Sequence, residues 1–289
     1  MLIDPPNQKV LFEDSFTEAD LAELLDGGQA FRWNRQKDGS WLGQWSRSIC
    51  RIERSSDGKA ACSLLTENIK DVRNTIRTYF GLDRNWRDLR DQLPWRSDNH
   101  LAQCIDTFPS LRILRQPFGE TLLCFLCSAT KQIVQIKQMC ENLARTFGTE
   151  IAPGFYALPS WKQLAAVSEE DLRTCGLGFR ARYIHATARI IAKNPGCLDE
   201  IENLPYPEAR RRLMEFPGVG EKVADCVLLF GAGKLEAFPV DVWILRVMKD
   251  RYHLDRWSNS QIAHFGRIHF GALAGFAQQF LFSFERRTV

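Results

Sequence analysis

The apolar pattern changes period once along the chain. Trp41, Gly43 and Trp45 fall on alternate positions, Ile49–Ile52 continues extended, and Asp57-Gly58 is a hairpin turn leading into Ala60–Leu65. This spacing predicts an antiparallel sheet. Before it, Thr17-Glu18-Ala19-Asp20 has the form of a capping box opening a short helix through Leu25, which Gly27 and Gly28 stop. After it, Ile69, Val72, Ile76, Tyr79 and Phe80 recur at helical spacing up to Gly81. From about Asn99 onward every periodic segment is helical, as in Ile133, Ile136, Cys140, Leu143 and Phe147, with caps at Ser160 and Ser168. The expected fold class is α+β: a small antiparallel-sheet domain with flanking helices over 1–98, then an all-helical domain over 99–289. Neither an internal repeat nor a low-complexity linker separates the two, so they are expected to share an interface whose cleft is the natural pocket.

Within the helical part, the stretch Leu213–Asp241 carries the candidate chemistry. Pro207 through Glu215 reads as a short helix, Pro217-Gly218-Val219-Gly220 as a tight turn, and Glu221 through Phe230 as a second helix with Val223, Val227 and Phe230 on one face. Such a helix-hairpin-helix exposes backbone N–H groups at the positive end of the second helix, a way to hold a phosphate without reading sequence. It is also an ordinary corner between two helices. Lys222, in the first turn, sits at the helix end that prefers anions, which favours a neutral, nucleophilic amine; a lysine pointing into solvent or touching a phosphate is the plainer reading. Nineteen residues on, Asp241 ends the Phe238-Pro239-Val240-Asp241 loop and is placed to cap the helix that begins Val242–Met248. Capping could be its whole role.

Composition narrows these readings little. Of 289 residues, 45% are hydrophobic and 25% charged, as in a globular protein, and a net charge of +3 leaves any nucleic-acid affinity to local clusters of lysine and arginine. No apolar run reaches the ~20 residues that span a bilayer, and the first ten residues lack both signal-peptide and transit-peptide character. No membrane partner and no secretion are therefore expected, but a reducing interior: cytoplasmic in a bacterium, nuclear in a eukaryote. Nine cysteines, an odd number, argue against a disulfide framework, and the lone Cys124-x-x-Cys127 has no second pair to complete a zinc site.

The run GVGEKVADC followed by PVD resembles the helix-hairpin-helix, Gly-Pro-rich loop and aspartate signature of base-excision DNA glycosylases, in their 8-oxoguanine DNA glycosylase/lyase branch. GQAFRW at Gly28–Trp33, GLGFRARY at Gly176–Tyr183 and GFAQQFLFS at Gly275–Ser283 resemble that branch too, so the likeness runs from about residue 10 to about 285. The resemblance implies a TBP-like sheet domain followed by a helix-hairpin-helix glycosylase domain. It implies Lys222 as a Schiff-base nucleophile and Asp241 as its electrostatic partner, the lysine marking glycosylase/lyases off from monofunctional members. It further implies that Gln278 meets the Watson–Crick edge of an extruded base, that Phe282 and Cys226 take its two faces, and that the carbonyl of Gly28 accepts from the N7–H that 8-oxoguanine has and guanine lacks. From the residues alone, Phe282 reads as core within its phenylalanine run and Gln278 as a surface residue.

Gly218, Val219 and Gly220 are the implied phosphate contacts, and Arg180 with Thr130, Lys131 and Gln132 the implied contacts at the orphaned partner base. There the chain departs from the family: asparagines are usual where Thr130-Lys131-Gln132 stands, an arginine where Gln135 stands, and often a histidine where Trp243 stands. The expected partner is double-stranded DNA containing 8-oxoguanine, bound by a monomer without a cofactor, since the four-cysteine iron–sulfur pattern of endonuclease III-type relatives is absent. The alternatives are an alkylated-base glycosylase of the same fold, which needs the aspartate but no nucleophilic lysine, and a non-catalytic DNA-binding module built on the hairpin.

Overall fold

The computed structural model describes residues 10–66 and 72–288. Five strands, β1 (Val10–Ser15), β2 (Trp33–Arg35), β3 (Trp41–Trp45), β4 (Ser48–Arg54) and β5 (Lys59–Leu64), pair antiparallel in the order β1-β5-β4-β3-β2. The Asp57-Gly58 turn joins β4 to β5 and sets the register Ile52↔Cys62 and Arg54↔Ala60, with Gly58 in the left-handed region at φ +87°. Helix α1 (Glu18–Asp26) begins where the Thr17 hydroxyl accepts from the Asp20 N–H and ends at Gly27. Helices α2 (Val72–Tyr79) and α3 (Trp86–Asp91) follow the sheet; Ile69 lies outside the described residues. The core of this part is aromatic: Trp33 is fully buried against Trp45, Tyr79 and Phe80 and donates its indole N–H to the Tyr79 hydroxyl at 2.9 Å.

The remainder is helical, with α4 (Asn99–Thr107), α5 (Phe118–Leu126), α6 (Ile133–Phe147), α7 (Trp161–Ala165), α8 (Glu169–Leu172), α9 (Arg180–Lys193), α10 (Cys197–Asn203), α11 (Tyr206–Leu213), α12 (Glu221–Phe230), α13 (Val242–Tyr252), α14 (Asn259–Phe270) and α15 (Ala274–Thr288). Ser160 and Ser168 cap α7 and α8 as their positions predict. A two-stranded hairpin of β6 (Glu150–Ala152) and β7 (Phe155–Tyr156) interrupts this part, too short to show a period in the sequence. Among the described residues no helix is long and apolar enough to cross a membrane, and no three His, Cys, Asp or Glu side chains gather to hold a metal ion. All nine cysteines are free and buried.

Two sets of bonds fix the sheet part on the helical part. Gln29 is fully buried and spends both ends of its amide on one strand-like segment, donating to the Arg112 carbonyl at 2.9 Å and accepting from the Leu114 N–H at 2.9 Å. Gln116, two residues on, donates its side chain to the Gln29 carbonyl and its backbone N–H to the Phe230 carbonyl at the end of α12. On the other side, the buried Glu23 of α1 accepts from Arg286 at 2.6 Å and Arg287 at 2.8 Å on α15. Gly28, between these two anchors, is thereby held against Ile133 of α6 and Phe282 of α15.

Candidate functional site

Helix α12 starts at Gly220 with no side chain capping it, so the first N–H groups of the helix are left to an outside acceptor. The turn before it is forced by packing. Gly218 sits at φ +82°, and a Cβ there would lie 2.7 Å from both Cβ and Cγ of Tyr183 on α9. Val219 turns inward, 6% exposed, its N–H bonded to the Phe216 carbonyl, while Gly220 stays exposed. A network the sequence reading missed joins the two hairpin helices: Asp225, 1% exposed on α12, accepts from the Tyr206 hydroxyl at 2.9 Å and from Arg210 Nε at 3.0 Å on α11. Burial pushes the Asp225 carboxyl above its ordinary range, and Arg210 beside it pulls it back. Gly218→Ala is expected to cost about 1–3 kcal/mol, because it combines a left-handed backbone with a collision against Tyr183. Gly220→Ala, with nothing within 4 Å of its Cβ, is expected to unfold at the wild-type temperature. Thermal unfolding of the two variants checks the contrast.

In the first turn of α12, the Lys222 amine lies 3.4 Å from the Ser128 hydroxyl and 5.2 Å from the centroid of the Phe125 ring, both at the end of α5. Phe125 in turn stacks on Phe230 at 5.7 Å, which locks α5 to α12. Cys226, one turn beyond Lys222, is buried enough to push its thiol up to about 12, against the downward pull of Lys222. Asp241 caps α13, its Oδ1 accepting from the Trp243 N–H at 3.1 Å and the Ile244 N–H at 2.9 Å. Burial raises its carboxyl above the ordinary range; the Ile244 N–H, the Lys222 charge and the Trp243 N–H oppose that rise. Lys222, Cys226 and Asp241 thus lie close enough to act on one another electrostatically.

Helix α15 carries two more of the predicted residues. Phe276 and Phe280 are fully buried, whereas Phe282 remains partly exposed, so the phenylalanine run divides into core and partly exposed members. A Cβ at Gly28 would lie 3.3 Å from Ile133 Cδ1 and 3.9 Å from Phe282 Cζ, which brings Gly28 and Phe282 together, and its φ of +101° strains any side chain placed there. Gln278, one turn before Phe282, is buried at 4% exposure, not on the surface; its Nε2 donates to the Pro239 carbonyl at 3.1 Å, and its Oε1 has no partner among the described residues. A buried amide oxygen left unpaired costs about 1–3 kcal/mol, a cost that a ligand donor would remove.

On the outer surface, Thr130, Lys131 and Gln132 are all exposed in the loop before α6, Thr130 at φ +54°. Arg180, at the start of α9, is buried beneath them and donates to the carbonyls of Leu177 and Ala129 and to the Thr130 hydroxyl. Gln135 folds back to accept from the Gln132 N–H at 3.2 Å. Helix α9 therefore supports both outer features, the loop through Arg180 and the hairpin turn through Tyr183.

Residues 12–122 match the family model for the 8-oxoguanine DNA glycosylase N-terminal domain, and residues 123–266 that for the HhH-GPD superfamily base excision DNA repair protein. A probable N-glycosylase/DNA lyase of Methanothermobacter thermautotrophicus is 33% identical over 243 residues, 76% of each chain. The chain belongs to the 8-oxoguanine DNA glycosylase family. A second member of that family, the N-glycosylase/DNA lyase of Saccharomyces cerevisiae, is 30% identical over 268 residues, covering 84% of this chain and 71% of its own. The crystal structure of Clostridium acetobutylicum 8-oxoguanine glycosylase/lyase, in complex with double-stranded DNA containing cytosine opposite 8-oxoguanine, superposes with a TM-score of 0.87 at 31% identity. That superposition covers 100% of this chain and 99% of the clostridial one, so both the sheet part and the helical part share the family's arrangement.

Proposed function

We propose that this chain flips 8-oxoguanine out of duplex DNA and excises it as a bifunctional glycosylase/AP lyase, with Lys222 as the nucleophile. The observation that carries the reading is the setting of Lys222: an amine in the first turn of an uncapped helix, close enough to the Cys226 thiol and the Asp241 carboxylate to act on both electrostatically. The lone pair of the amine bonds to C1′ while the glycosidic C–N bond breaks, and the base leaves with that electron pair. Loss of a proton from nitrogen and ring opening give the Schiff base. Removal of a C2′ proton then expels the 3′ phosphate, which nicks the strand 3′ to the lesion. Asp241, ionised, stabilises the positive charge that develops on the sugar.

In this reading the unpaired Gln278 oxygen accepts from the Watson–Crick edge of the flipped base, Phe282 and Cys226 cover its two faces, and the Gly28 carbonyl accepts from the N7–H. Gly218 and Gly220 hold a phosphate through backbone N–H groups, with Val219, its own N–H bonded to the Phe216 carbonyl, as the buried centre of the turn. Incubation with a duplex containing 8-oxoguanine in the presence of borohydride tests the whole: a covalent protein–DNA adduct is expected, and its absence would refute the lyase reading.

The outer loop supports a relaxed choice of opposite base. Thr130-Lys131-Gln132 offers a long flexible cation and an amide where the family presents short rigid amides. Gln135 is bonded to the Gln132 backbone, and Nη1 and Nη2 of Arg180 are engaged beneath the loop. With each missing base contact worth about 1–3 kcal/mol, the excision ratio for cytosine over adenine is expected to be at least about tenfold smaller than in an enzyme with the full set. Lys131 adds only sequence-blind attraction that fades with salt. Single-turnover excision on four duplexes at fixed salt measures the ratio; a strict cytosine requirement would return the reading to Arg180.

A further inference from the structure

Ser128 stands at the junction of two functions. It follows α5, and its backbone carbonyl accepts from the Lys131 N–H at 3.2 Å, so it begins the exposed loop over residues 129–132. Its hydroxyl is buried and lies 3.4 Å from the Lys222 amine. The proton of that hydroxyl is already committed: Ser128 Oγ donates to the Phe125 carbonyl at 2.7 Å, one turn back on α5. A hydroxyl has one proton to give, so toward Lys222 this oxygen can only accept.

We propose that Ser128 is a positioning residue for Lys222, which accepts one N–H of the amine and leaves its lone pair unengaged and turned toward the cleft. The inference rests on Lys222 being the nucleophile. A serine free to rotate could donate to the same lone pair and block attack; the Phe125 carbonyl forbids that orientation. The anchor is stiff, because the Phe125 ring packs on Phe230 and edge-on to Phe31, so the oxygen stays in place relative to α12. The 3.4 Å separation is long for a hydrogen bond, as contacts of catalytic groups are before substrate arrives. Because Arg180 bonds the carbonyl of Ala129, the next residue, a shift of the loop on the partner strand moves Ser128 and with it the amine.

The test compares Ser128→Ala, Ser128→Thr and Lys222→Gln by single-turnover excision at saturating enzyme, by borohydride trapping and by lesion-duplex affinity. Ser128→Ala is expected to slow excision and trapping about tenfold while changing the Kd for the lesion duplex less than twofold, and Ser128→Thr, which keeps the hydroxyl, is expected to recover most of the rate. Wild-type rates in Ser128→Ala, a loss of affinity as large as the loss of rate, or a threonine variant no faster than alanine would each overturn the proposal. Lys222→Gln separates the two levels: if it still forms the adduct, the assignment of the nucleophile fails, whatever Ser128 does.

Discussion

Lys222→Gln is expected to eliminate base excision, strand nicking and the borohydride-trapped adduct together, a loss on the order of 10³-fold or more, with lesion-duplex binding kept within about tenfold. The two effects separate because they use different atoms. An amide nitrogen shares its lone pair with the carbonyl and cannot form the C–N bond to C1′, so no Schiff base arises. In the proposed reading the phosphate grip belongs to the backbone of Gly218 and Gly220 and to the uncapped start of α12, none of which the substitution touches. Folding is preserved as well. The core face of α12 is made by Val223, Ala224 and Val227, while Lys222 is only partly buried, and glutamine can still bond the Ser128 hydroxyl. Excision, trapping and a binding isotherm on one preparation decide the matter, and an adduct that survives in this variant would point to a different amine.

The parts of the site that could be read in advance are those set by local rules. Helix α12 occupies Glu221–Phe230 as its apolar spacing and flanking glycines predict, and Asp241 caps α13 as an aspartate before a helical run should. What escaped is set by partners far along the chain. Strand β1 pairs with β5, about fifty residues on, as an edge strand with weak alternation, and β2 has only three residues to show a period. Gln29 reads as one polar residue in a motif, yet its contacts with Arg112 and Leu114 place Gly28 against Ile133 and Phe282. Arg180 looks like an outward cation; its burial depends on the Ala129 carbonyl, whose position no periodicity reports. Gln278 is the reverse case. Its amide reads as surface on a helix, and only packing shows it buried with an unpaired oxygen, which is the feature that suits it to a base.

Asp241→Asn is expected to lower the excision rate by on the order of 10² to 10³-fold while holding or raising the melting temperature at neutral pH. Asparagine keeps the oxygen that accepts from the Trp243 and Ile244 N–H groups, so α13 retains its cap and only the charge is lost. In the proposed mechanism that charge is what the transition state uses, and it is what the folded state resists. Burial raises the Asp241 carboxyl above its unfolded value despite the helix N–H groups and Lys222, so the folded protein favours the protonated form. The sign follows by linkage: a carboxyl raised on folding stabilises the fold below its unfolded pKa, and that contribution is lost as pH rises through the raised folded value. At neutral pH the ionised aspartate is therefore a destabilising group kept for its chemistry, and a neutral isostere relieves it. The same shift places the acid limb of the wild-type pH–rate profile above the ordinary carboxylate range, because protonated Asp241 cannot stabilise positive charge on the sugar. Thermal unfolding of both proteins from mildly acid to neutral pH, beside single-turnover rates, tests the pairing. A variant that turns over normally would reduce Asp241 to its cap, and one that loses rate and stability together would show that the charge was holding the fold.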